Sequence, residues 1–107
     1  MIILILSIPK GGKMSVARIT TINFKNKEDA DKSVQDYSEN APNEFPEAEQ
    51  LLQIRASDTT VMAVSLYADN DAMERASAAR SKRMSNNENT FEVVDTKTGD
   101  VTLNHKN

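Results

Sequence analysis

Two runs with period-two character, residues 51–57 and 61–67, stand three residues apart and lead straight into a helical pattern. This strand–turn–strand–helix unit constrains the chain more than any other stretch, because its pairing can be argued from side chains alone. In an antiparallel pair, residues directly opposite share a face. A loop of Asp58, Thr59 and Thr60 pairs Ser57 with Val61, Ala56 with Met62, Ile54 with Val64 and Leu52 with Leu66, which makes one face wholly apolar. The other face then carries Leu51 with Tyr67, Gln53 with Ser65 and Arg55 with Ala63. A two-residue loop would mix polarity on both faces, since a one-residue slip moves a whole side-chain set to the wrong side. The absence of Gly from the loop is the one feature that does not fit a short hairpin.

The helix after the hairpin can be capped by Asp69 or Asn70, whose short side chains accept first-turn amide hydrogens. Ala72, Met73, Ala76 and Ala79 form a small-residue stripe that lets the helix lie close to a sheet. Arg75, Arg80, Lys82 and Arg83 crowd its second half and read as a solvated face suited to a helix C-terminus, in preference to an anion or nucleic-acid patch. Upstream, residues 16–24 are rich in β-branched residues, with Val16, Thr20, Ile22 and Phe24 on one face and Ala17, Ile19 and Thr21 on the other. Asn26 caps a second helix with the stripe Ala30, Val34 and Tyr37, expected to end near Asn40. Pro42 and Pro46 then bracket a loop anchored by Phe45. Residues 91–96 read as a last strand. Residues 97–100, with Gly99, read as a turn, and residues 101–103 as a short return strand or a tail. The order β-α-β-β-α-β predicts the ferredoxin-like plan, an α+β domain of four antiparallel strands with two helices on one face.

The helices are expected to cover the apolar hairpin face. That leaves the semi-polar face of Leu51, Gln53, Arg55, Val61, Ala63, Ser65 and Tyr67 to pack against its symmetry mate in a homodimer. Aromatics are only 5% of 107 residues and Trp is absent, so a lone core would be thin. The first 13 residues behave differently. Residues 1–8 are the most apolar piece but too short to span a bilayer, and they lack the charged start of a signal peptide. Lys10-Gly11-Gly12-Lys13 before Met14 can be encoded by a purine-rich bacterial ribosome-binding site. Residues 1–13 are therefore expected to be a translated leader or a disordered extension, and residues 14–107 a single domain with its hairpin or tail from about residue 97.

Several chemistries are excluded by what the chain lacks. With no Cys there is no thiol nucleophile, thiolate metal site or disulfide. Thirteen basic against sixteen acidic residues, and no exposed aromatic pair on the sheet, argue against nucleic acid as a partner. Asp69-Asn70-Asp71 lacks the Gly and the later Glu of a calcium loop, and Gly11-Gly12-Lys13 lacks the spacing of a phosphate loop. No metal and no cofactor is expected. Arg55 and Tyr67 on the uncovered face could orient an enolate or carboxylate, with Gln53 and Ser65 beside them. The plainer reading has both at a dimer interface, where Tyr and Arg are enriched. His105, the single His, is a weaker candidate because it stands in the C-terminal tail.

The stretch VARITTINFKNKEDADKSVQDY and the run VSLYADNDAMERA, with the element order, resemble the dimeric α+β barrel superfamily, in particular small antibiotic-biosynthesis-monooxygenase-like domains. The resemblance spans nearly all of residues 14–96 and is one of pattern. It implies two sheets paired into a barrel in a homodimer, and a cavity that takes a small apolar or aromatic ligand. Some members are cofactor-free oxygenases, some degrade haem, and many have no known activity. The haem-degrading members use an Asn, a Trp and a His; the lack of Trp here speaks against that branch. The expected function is a cytoplasmic small-molecule-binding or cofactor-independent monooxygenase-like protein. The alternative is a non-catalytic structural or interaction protein whose sheet face serves only homodimerisation.

Overall fold

The computed structural model describes residues 15–107, and the leader reading of residues 1–13 lies outside them. The chain runs β1 (Val16–Phe24), α1 (Lys27–Glu44), β2 (Ala48–Arg55), β3 (Thr60–Tyr67), α2 (Asn70–Arg75), α3 (Ser77–Asn87), a 3-10 turn (Glu88–Thr90) and β4 (Phe91–Asp100). The sheet order is β2-β3-β1-β4, with every pair antiparallel. This is the expected ferredoxin-like plan, with the second helical segment divided at Ala76. The Ala76 amide is shared between the carbonyls of Ala72 and Met73 at 3.3 and 3.1 Å, a tightened turn that leads into α3.

Both predicted caps form. Asn26 Oδ1 accepts from the Asp29 amide at 2.8 Å, and Asp69 Oδ1 accepts from the Ala72 amide at 2.9 Å. Helix α1 runs four residues past its expected end, to Glu44, with Pro42 inside it. Pro42 is exposed and forfeits one amide bond. The flanking Ala41 and Phe45 are buried, and the Phe45 amide closes on the Ala41 carbonyl at 2.9 Å, so packing carries the last turn.

The hairpin register differs from expectation by two residues. Ile54 faces Met62, Leu52 faces Val64 and Gln53 faces Ala63, with a bulge between Ala48 and Gln50. A shift of two keeps every side chain on its predicted face. The loop is Ser57-Asp58-Thr59, and Ser57 Oγ accepts from the amides of Thr59 and Thr60 at 3.2 and 3.0 Å. The hydroxyl thus holds the turn by local hydrogen bonds, in a loop that contains no Gly. Residues 97–100 do not turn. Strand β4 pairs with β1 as far as Asp100 opposite Val16, and the Val101 amide reaches the Ser15 carbonyl at 2.8 Å. Without that pairing, β1 would present an open edge along its first half.

The largest correction concerns the two sheet faces. The helices cover the semi-polar face, and the apolar face is the open one. Val16, Phe24, Val61 and Tyr67 are buried against Ala30, Ala41, Phe45, Ala72 and Ala76 of the helical layer and its loops. On the opposite side Ile19, Leu52, Ile54 and Val93 lie open, from 39% exposed for Ile19 to 54% for Val93. The reason is steric. Alanines on the helices seat well over Tyr67 and Phe24, whereas the Leu52–Met62–Val64 face offers a flat apolar surface better matched to a second sheet. No helix among the described residues is long and apolar enough to cross a membrane.

Candidate functional site

The core beneath the helices is split in two. One cluster gathers Val16, Tyr67, Ala41, Phe45, Ala72 and Ala76; the other gathers Phe24, Val61 and Ala30, with Phe91 edge-on to Phe24 at 5.6 Å. The strand register explains the division. Between Val16 and Phe24 the covered face of β1 carries Arg18, Thr20 and Ile22, and these stand opposite Ser65, Ala63 and Val61. Small and polar residues thus occupy the middle rungs. A cavity of about 70 Å³ remains there, between sheet and helices.

Its walls are apolar at the ends, through Phe45, Val61 and Phe91, and polar at the centre. Tyr37 of α1 and Ser65 of β3 both line the cavity, and burial pushes the Tyr37 phenol above its ordinary range. Gln53 is held by α1, its Nε2 donating to Ser38 Oγ at 2.9 Å and to the Val34 carbonyl at 3.3 Å. Tyr67 is almost fully buried, and the Arg18 guanidinium lies 5.9 Å from its ring centre.

Two arginines from α3 point inward. Arg80 Nη2 donates to Thr20 Oγ1 at 3.1 Å and to Thr96 Oγ1 at 2.9 Å, which ties the helix to β1 and β4. Burial, with the nearby Arg18 charge second, lowers the Arg80 pKa from its ordinary value. Arg83 lies over Tyr37 at 5.3 Å and is paired with Glu44 and Asp36. Burial alone would lower the Arg83 pKa, but these two carboxylates raise it above the ordinary value.

Of the residues singled out in the sequence, Gln53, Ser65 and Tyr67 are brought together at this cavity. Arg55 is not. It shares their sheet face but lies at the hairpin end, where it bonds Asp31 at 2.9 Å and the carbonyls of Ser57 and Asp58 at 2.7 and 2.6 Å. It fastens the hairpin loop to α1, and with Lys27 it holds the Asp31 carboxyl below its ordinary range, the Lys27 bond being the larger effect. His105 is exposed in the tail, away from the cavity. Arg18 and Tyr37 were missed as site residues, and Arg80 and Arg83 were set aside as a solvated face. A signal existed for two of them: Ala76, Arg80, Arg83 and Asn87 recur at helical spacing, so the arginines continue the buried stripe that Ala72 and Ala76 begin.

No protein-family model and no curated protein matches the sequence. Solved structures do match the fold. A protein of unknown function from Nitrosomonas europaea superposes with a TM-score of 0.73 at 10% identity, over 91% of this chain and 98% of that one. A dimeric ferredoxin-like protein from an uncultured marine organism gives 0.70 at 6% identity, over 89% and 94%. A monooxygenase of Streptomyces coelicolor, solved with nanaomycin D, gives 0.66 at 12% identity, over 82% and 88%. The likeness is one of fold: the same ferredoxin-like α+β architecture is found in a structure described as a putative antibiotic biosynthesis monooxygenase, in the Streptomyces coelicolor monooxygenase and in a protein of unknown function.

Proposed function

We propose that the protein is a cytoplasmic homodimer that binds a small aromatic or apolar molecule in the cavity beneath its helices, with cofactor-independent oxygenase-type chemistry as the activity. The observation that carries this reading is the interrupted core. A domain this size loses stability by leaving its central rungs unfilled and polar, and here Arg18, Thr20 and Ser65 on those rungs, with Tyr37 and Arg80 from the helices, surround open space. At roughly 10–15 Å³ per enclosed water, 70 Å³ has room for about five to seven waters, which suits a single ring better than a fused polycycle. The open face of Ile19, Leu52, Ile54 and Val93 supports the dimer.

The test is ligand-observed NMR with phenol, indole and benzamide, on the wild type and on Ala63→Leu, which fills the central rung. Saturation transfer to at least one ring compound in the wild type, lost in the variant, supports the reading. Equal signals in both proteins, or none in either, would refute it. The second reading is a non-catalytic assembly protein. It is favoured by the apolarity of the open face and predicts the second of these outcomes together with an intact dimer.

A further inference from the structure

Four arginines border the covered face, and they divide into two kinds. Arg55 is held by Asp31, and Arg83 by Glu44 and Asp36. Arg18 and Arg80 have no carboxylate within ion-pair distance among the described residues. Both line the cavity, and both are partly buried. The Arg18 side chain donates no hydrogen bond among the described residues and rests against the Tyr67 ring. Among the described residues Arg80 commits only Nη2, to Thr20 and Thr96. Thr20 is two residues along β1 from Arg18, on the same face, about 7 Å away at strand spacing.

Two like charges beside one poorly solvated space repel each other, and an anion between them removes that cost. The guanidinium fork matches a planar carboxylate in geometry as well as charge. We infer that Arg18 and Arg80 form an anion-recognising pair, and that the molecule taken by this cavity carries a carboxylate on a small apolar or aromatic body. The inference rests on the cavity being a ligand site and adds the chemical class of the ligand. The carboxylate lies between Arg18 and Arg80, near the Thr20 and Thr96 hydroxyls, and the body lies towards Phe45, Val61 and Phe91.

Isothermal titration calorimetry with benzoate and its neutral isostere benzamide tests this at low salt. The wild type should bind benzoate at least tenfold more tightly than benzamide. Arg18→Gln and Arg80→Gln should each weaken benzoate about tenfold and leave benzamide unchanged, while the exposed Arg75→Gln should change neither. Equal affinity of the wild type for the two compounds overturns the inference alone and needs no variant to be folded. An equal loss in Arg75→Gln also overturns it, since the preference would then be a diffuse field effect. Failure of both compounds to bind brings down the ligand-site reading along with it.

Discussion

Arg83 grips both oxygens of Glu44, Nε to Oε1 at 2.9 Å and Nη2 to Oε2 at 2.6 Å, while its Nη1 reaches Asp36 at 2.6 Å. The two carboxylates sit eight residues apart on α1, so a single α3 side chain sets the spacing of the two helices over the cavity. Lys cannot reproduce the fork. Arg83→Lys should cost about 1–2 kcal/mol, the range of a charge-assisted bond with partly exposed partners. Urea unfolding measures it, and a double-mutant cycle with Glu44→Gln should show coupling. Additive losses would mean that the fork contributes nothing.

Tyr37 should titrate late. The chain has two tyrosines, so Tyr67→Phe leaves Tyr37 as the sole phenol. Its folded pKa is raised, chiefly by burial, so the folded state holds the proton more tightly than the unfolded state. The associated stability is fully present below the unfolded value of about 10 and is lost as pH rises through the folded one. Absorbance at 295 nm should show the transition above pH 10 in the native Tyr67→Phe protein and near 10 in urea. Coincident curves would contradict the buried placement.

The capping residues make a sharper comparison. Asn26→Ala and Asp69→Ala should each cost about 1 kcal/mol, whereas Asn70→Ala should stay within about 0.5 kcal/mol. The sequence left Asp69 and Asn70 as equal candidates; the bond from the Ala72 amide to Asp69 separates them. Equal effects at 69 and 70 in thermal unfolding would count against the observed helix start.

Much of the architecture was legible because it depends on periodicity, which is local. The element order, the Asn26 cap and the grouping of side chains by face all follow from spacing. Which face the helices choose does not. Leu52, Ile54, Met62 and Val64 looked like the natural core, yet the helices pack on the other face and leave Leu52 and Ile54 exposed. Ala30, Ala41 and Ala76 could have warned of this, since alanine helices need bulky partners such as Tyr67 and Phe24. The site was half legible. Gln53, Ser65 and Tyr67 were found on one face of two neighbouring strands, but Arg18, Tyr37 and Arg80 arrive from β1, α1 and α3, and only tertiary packing brings them together. Arg55 has the right chemistry and the right face, but it sits one rung too close to the hairpin loop.

The face assignment can be tested by charge. Leu52→Arg with Ile54→Arg should turn a dimer into a monomer by placing two cations on the open face, while Arg55→Ala should leave the dimer intact. Sedimentation velocity distinguishes the two. Dissociation in Arg55→Ala, with the double variant unaffected, would restore the opposite assignment.

The most direct test of the whole account is native mass spectrometry of the wild-type protein, purified gently from cells. The account predicts a dimer that carries a reproducible added mass, released on denaturation and absent from Ala63→Leu. A monomer, or a dimer with no added mass under conditions that preserve weak complexes, would contradict it.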